Sequence, residues 1–245
     1  RTLRARARRA ALAGPAGQQG GDQKDNIGLV TGGMLALVAF ILALAMSMAQ
    51  GRLDARRDVV RDEANAIGTV WLRADFAGQA AAPIRALLRD YAALRLETIE
   101  SPPDPDDVAG ELDRTNTMQG RIWALASAAA RHDHTPETAL LIESLNDMFD
   151  LSLTSRRAFT DRVPIGVLRM LLWTALISMG VVGYHFAQAG GRHLLFSGLL
   201  LAFWSGAMVL IVDMNNPTKG SIRVDPAPLV WTIQGFGPPL PAAGR

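Results

Sequence analysis

The stretch "RDEANAIGTVWLRAD", Arg61 to Asp75, crowds carboxylates, an amide, two arginines and a tryptophan into four helical turns. Groups of these types can form ion pairs, line an ion path or hold a neighbouring helix. Helical spacing puts Glu63 one turn from Ile67 and sets Asn65 at the edge of an apolar stripe. Further along, Arg73, Arg89, Tyr91 and Arg95 carry the same kinds of chemistry, and Asp213 is the one acid of "DMNNP". We take Glu63, Asn65, Trp71, Arg73, Arg89, Tyr91 and Asp213 as candidates for pore lining or helix contact.

Catalytic and metal chemistry find little support. His132 and His134 flank Asp133 in "RHDHT", but a structural zinc site needs about four ligands, and the chain has four histidines and no cysteine. The absence of cysteine also excludes disulfides and a thiol nucleophile. "GPAGQQGG" and the later "GGR" lack the strand-to-helix setting of a phosphate loop, and no nucleophile elbow occurs. The reading is therefore a non-enzyme with no catalytic residue, no metal site and no cofactor.

The elements that must position these residues are dictated by hydropathy. The 245 residues are 49% hydrophobic and 20% charged, ordinary values in bulk. Their distribution is not ordinary: no charged side chain occurs from Asn26 to Gly51, from Met170 to Gly191, or from Leu194 to Val212. At about 1.5 Å per residue, each run is long enough to cross a hydrocarbon core of roughly 30 Å. Small residues in the first run (Gly28, Gly32, Gly33, Ala36, Ala39, Ala43, Ser47) favour close helix packing within a bundle or oligomer. The first run is too long for a signal peptide, and "RLDARRD" follows it in place of a cleavage site.

Between the first and second runs lies a polar section with helical periodicity and no strand alternation. Leu53, Val60, Ala64, Ile67 and Trp71 form one stripe, with Arg57, Asp58, Arg61 and Asp62 facing away. Pro83 fits a first helical position, followed by a face of Ile84, Leu87, Leu88, Tyr91 and Leu94. "SPPDPDD" is a loop. A third helix spans about Leu112 to Arg131, and a fourth opens with Thr135 as N-cap and Pro136 as first residue.

The predicted fold is all-α, an integral membrane protein with three spans and a helical extramembrane section between the first and second. Its divisions are a basic flexible segment (1–25), a span (26–50), the helical section (51–163), spans at 164–190 and 193–213, and a tail (214–245). "QAGGRH", Gln188 to His193, is a tight hairpin between the last two. The net charge of +2 gives no reason to expect nucleic acid, and the opening "RTLRARARR" suits anionic lipid headgroups. The positive-inside rule leaves two opposed orientations. Arg1 to Arg9 and Arg192 place the helical section outside, whereas Arg52, Arg56, Arg57, Arg61, Arg156, Arg157 and Arg162 place it in the cytoplasm.

The run "RLDARRDVVRDEANAIGTVWLRAD", with "LLRDYAALRLE", "IWALAS", "LNDMFD", "RVP" and "DMNNPTKGSIRV", resembles the bestrophin-like domain family from about Asn26 to Leu229. The resemblance implies a fourth membrane helix upstream of the one at Ile27, and the opening on Arg1 in place of Met fits a lost upstream segment. It also implies distant similarity to bestrophins, pentameric anion channels whose pore helix continues into the aqueous domain. Their calcium site needs an acidic cluster after the last span, and Asp213 alone does not supply one. The expected function is an oligomeric, anion-permeable channel of the cell membrane, a multi-pass homo-oligomer around the first span, with Arg52, Arg56 and Arg57 concentrating anions at one mouth. The alternative is a non-conducting membrane module that binds a partner protein through its helical section.

Overall fold

The computed structural model describes residues 16–101, 107–188, 194–216 and 220–237. Residues 1–15 of the basic opening, most of "SPPDPDD" and residues 189–193 of the "QAGGRH" hairpin fall outside them, whereas residues 16–25, expected to be flexible, are helical. The described residues are nearly all helical and contain no strand: α1 (Ala16–Arg73), a 3-10 stretch (Ala74–Ala80), α2 (Ala81–Glu100), α3 (Val108–His132), α4 (Pro136–Thr160), α5 (Ile165–Gln188), α6 (Leu194–Asn215) and α7 (Ala227–Gly235). Among the described residues, three helices are long and apolar enough to cross a membrane, their charge-free runs lying in α1, α5 and α6.

The chain forms two compact units. One contains the described residues up to Met48 together with Val163–Ile211. Here α1 buries Thr31, Val38, Ile41 and Ala45, spaced to share one face, while α5 buries Leu171, Ala175, Ser178 and Val182, and α6 buries Ile211. Leu29, Phe40, Trp173, Ile177, Leu199 and Phe203 stand exposed. An apolar exterior of this extent marks a surface covered by lipid or by other protein.

The second unit, Ala49–Arg162 with Val212–Arg245, is a helical bundle in the order α1, α2, α3, α4, with α7 laid against α1 and α2. Val60, Ala64, Ile67 and Val70 of α1 meet Ile84, Leu88 and Tyr91 of α2, Ile122 and Ala126 of α3, and Leu141, Leu145 and Met148 of α4 in one core. These positions recur every three or four residues, so each helix buries one stripe and leaves most of its charges in water.

Local chemistry explains the ends. Thr135 caps α4 by accepting the Thr138 N–H at 3.2 Å, and Thr138 Oγ1 accepts the Thr135 N–H in return. Chain reversal after α1 runs through Gly78 at φ 56°, in the region where only glycine is unstrained. Pro83 sits in the third position of α2, because the helix starts at Ala81. A missing N–H is harmless anywhere in a first turn, so the proline marks the turn and not its first residue.

Beyond α6 the chain folds back tightly. Asp213 accepts from Ser221 N and Ser221 Oγ, both at 2.7 Å, and from Ile222 N at 3.1 Å, while Gly220 N donates to Asn216 O at 3.0 Å. A Cβ on Gly220 would lie 2.5 Å from Asp213 O and 2.6 Å from Asn216 O. Neither is a side chain able to swing aside, so Gly220→Ala should cost about 1–3 kcal/mol, the usual penalty of overpacking. Thermal melting in detergent measures this; an unchanged midpoint would show that the turn is looser than described.

Candidate functional site

Six charged or polar side chains meet inside the helical unit. Glu63, on the buried stripe of α1, is fully buried, and Arg95 of α2 is 4% exposed. Arg95 Nε donates to Glu63 Oε1 at 2.6 Å and Nη2 donates to Oε2 at 3.3 Å, a fork-to-fork pair. The same guanidinium donates through Nη1 to Glu111 Oε1 of α3 at 3.1 Å and through Nη2 to Ser155 Oγ of α4 at 3.4 Å. Glu111 also accepts from Thr115 Oγ1 and lies 3.5 Å from Arg156 Nη2. Two carboxylates and two guanidiniums thus balance, with one member or more from each of four helices. Burial disfavours the charged guanidinium of Arg95, but the field and hydrogen bonds of Glu63 outweigh it and raise its pKa.

Tyr91 lies beside this pair, fully buried, its hydroxyl accepting from Gln119 Nε2 at 3.3 Å; Gln119 Nε2 also donates to Ser152 Oγ at 2.8 Å. Burial, and then the negative charge of Glu63, push the phenol up to about 12. Nothing in this network is left to meet a ligand. It can fix helix positions, and it has no base aimed at a nucleophile.

Arg56 is a second buried cation, 1% exposed, with a different set of partners. Its Nε donates to Ala158 O at 3.0 Å, Nη2 to Asp161 O at 2.9 Å and Nη1 to Met214 O at 3.0 Å. These carbonyls belong to the C-terminal ends of α4 and α6, which carry partial negative charge. Desolvation, then the nearby Arg52 and Arg162, lower its pKa.

Of the three arginines of the expected basic mouth, Arg56 is corrected by this geometry. Helical phase turns Arg56 into the protein, Arg57 lies 3.4 Å from Asp54, and Arg52 lies 3.7 Å from Asp161. What α1 exposes beyond its apolar run is a mixed row of Asp54, Arg57, Asp58, Arg61 and Asp62, with Arg61 paired to Asp58 at 2.8 Å.

The remaining candidates separate. Trp71 stacks on Phe236 at 4.0 Å, with the guanidiniums of Arg85 and Arg89 5.2 and 5.4 Å from its ring. Arg89 donates to Phe236 O and Gly237 O, closing the end of the α7 segment. Thr232 Oγ1 donates to Ala64 O, and its methyl passes 3.7 Å from where a Cβ on Gly68 would stand. Arg73 donates to Leu140 O at 2.9 Å and rims an open cleft of about 460 Å³ that Asp147 and Asp150 also line. Asn65 is exposed, its carbonyl accepting from Thr69 Oγ1 at 3.0 Å. Asp213 holds the turn after α6, and His132, Asp133 and His134 lie exposed between α3 and α4. Of the seven candidates, Glu63 and Tyr91 come together beside Arg95, and Trp71 and Arg89 come together at Phe236.

Sequence reasoning missed Glu111, Gln119 and Phe236, and set Arg56 at a solvent-facing mouth although it is buried. The signal for Arg56 was available: 56, 60, 63, 67, 70 and 74 are successive steps of one buried stripe.

Comparison with known proteins relates the chain to a described group. Residues 8–229 match the family model for the Bestrophin-like domain. Two single-mutation forms of a bacterial bestrophin homologue from Klebsiella pneumoniae align with TM-scores of 0.67 and 0.68, at 15% and 14% identity, over 85% of this chain and 85% of theirs. A crystal structure described as a membrane protein aligns with a TM-score of 0.68 at 14% identity, also over 85% of each chain. At these identities the likeness is one of fold. No curated protein matches.

Two outcomes follow from the buried network. Glu63→Gln leaves the Arg95 charge without its main partner and should lower stability by about 3–5 kcal/mol, read as a large drop in melting temperature in detergent; a shift below the equivalent of about 1 kcal/mol would mean that Glu111 alone suffices. Tyr91 keeps its proton in the folded state after the unfolded phenol, near pH 10, has lost its own, so stability falls as pH rises from about 10 to 12. Tyr91→Phe should remove that alkaline loss, and an ultraviolet titration should lose its latest-ionising phenol; an unaltered alkaline profile would contradict the assignment.

Proposed function

This chain belongs to the Bestrophin-like domain family, and we propose that several copies assemble around α1 into a pore that passes inorganic anions across the cell membrane. The observation that carries the reading is the uncovered line of α1. Leu37, Phe40, Leu44 and Met48 are exposed on the single chain and spaced to share one face. Repeated around an axis, such a line makes an apolar constriction that gates by excluding water, and no carboxylate occurs in α1 from residue 26 to 51 to favour cations there. A ring of identical copies also covers apolar surface that a lone chain leaves bare.

Full-length protein reconstituted in a planar bilayer under a potassium chloride gradient tests both parts. The reading expects a conductance whose reversal potential moves toward the chloride equilibrium potential, and a larger unitary conductance in Phe40→Ala or Leu44→Ala. A reversal potential at the potassium value would retain the pore and refute anion passage, with the Asp54, Asp58 and Asp62 row the first place to look. An assembled oligomer that conducts nothing would refute the pore.

One observation favours the partner-binding alternative. Leu72, Phe76 and Leu140 are exposed at the far end of the bundle, where Arg73 bonds to the Leu140 carbonyl. A partner seated there would not use Trp71, which lies under Phe236. Leu72→Ser with Phe76→Ser should abolish such binding and leave conductance unchanged.

A further inference from the structure

The end of the bundle around Asp161 carries an excess of arginine that no ion pair within it balances. Arg52 Nη1 lies 3.7 Å from Asp161 Oδ2, and Arg56 Nη2 donates to Asp161 O. Arg157 O accepts the Asp161 N–H at 2.8 Å, and Arg162 follows in the chain. Arg52 and Arg162 both lie close enough to Arg56 to lower its pKa, and Asp161, 69% exposed, is the one carboxylate acting on it. The neighbouring charges are otherwise matched: Asp54 with Arg57, and Glu111 with Arg95 and Arg156. Arg56 is held by carbonyls, whereas Arg157 and Arg162 are exposed and carry no ion pair.

Their place along the chain says what meets them. Arg52 directly follows the charge-free run of α1, Arg162 stands three residues before α5 begins, and Met214, bonded to Arg56, ends the apolar part of α6. All of these are points where the chain enters or leaves a span, the depth at which phospholipid headgroups lie.

We propose that Arg52, Arg157 and Arg162, at the end of the bundle where α4 stops, bind the phosphate of an anionic phospholipid headgroup. Guanidinium suits this ligand because its planar fork offers paired N–H donors to phosphate oxygens. Buried Arg56 adds charge and fixes the α4 terminus that carries two of the three contacts. Binding there holds this end of the bundle against an anionic leaflet, which selects the orientation in which Arg52, Arg157 and Arg162 count as the inner positive charge. The proposal rests on the membrane-spanning assignment and not on conduction, so a protein that proved non-conducting would leave it intact.

The test uses the full chain in neutral detergent, titrated separately with phosphatidylglycerol, phosphatidylcholine and inorganic phosphate, with melting temperature and retained lipid by native mass spectrometry as readouts. Phosphatidylglycerol should raise the melting temperature and remain bound, and the other two should not. Arg157→Gln with Arg162→Gln should weaken phosphatidylglycerol binding roughly 30-fold without changing the unliganded melting temperature or oligomeric state. Arg121→Gln with Arg131→Gln, exposed arginines of α3, should bind as the unaltered chain does. Equal retention by the Arg157/Arg162 variant would overturn the site, and stabilisation by inorganic phosphate to the same extent would replace the lipid with a free anion.

Discussion

The helical unit depends on one buried ion pair. Glu63 sits on a stripe otherwise made of Val60, Ala64, Ile67 and Val70, where water is absent and an unpaired carboxylate would be severely penalised. Only one rotation of α1 presents it to the Arg95 fork, and only one placement of α3 and α4 brings Glu111 and Ser155 to the same guanidinium. An apolar stripe alone tolerates slippage by a turn; a bidentate pair does not. The pair thus specifies the arrangement more than it strengthens it, since desolvation consumes much of its attraction.

Arg56 and the segment after α6 extend that constraint. Three carbonyls at the ends of α4 and α6 converge on Arg56, seven residues before Glu63 on the same stripe. Further along, Thr232 and Phe236 fasten α7 to Ala64 and Trp71. The aqueous half of α1 is therefore held at 56, 63, 64 and 71, at about every second turn of its covered side. Its other side, with Asp58, Asp62, Asn65, Thr69 and Leu72, is left open.

Much of this was legible in the residues. Charge-free runs marked the apolar helices because no soluble fold hides such a length without a polar face, and Thr135 with Pro136 fixed the start of α4 to the residue. The Ala64, Ile67 and Trp71 stripe followed from spacing alone. Illegible were the contacts whose partners lie far apart in the chain. Arg56 read as part of a basic mouth and Arg95 had no nameable partner, since an arginine declares its burial only when its acceptors, up to 158 residues distant, are known. Phe236 looked like part of a proline-rich tail, and its stacking on Trp71 is set by the turn at Asp213 and Gly220. Asn65 was placed by its neighbours at a stripe edge, but at one residue past Ala64 it turns outward.

The phase of α1 can be measured directly, because the chain contains no cysteine and single cysteines introduce an unambiguous label. Full-length variants with cysteine at each position from 58 to 72 would be treated with a charged, membrane-impermeant thiol reagent and the rate of modification recorded. Fast modification at 58, 62, 65, 69 and 72, with slow modification at 60, 63, 64, 67 and 70, is the pattern the buried pair imposes. Uniform rates, or a maximum at 63 and 67, would contradict it.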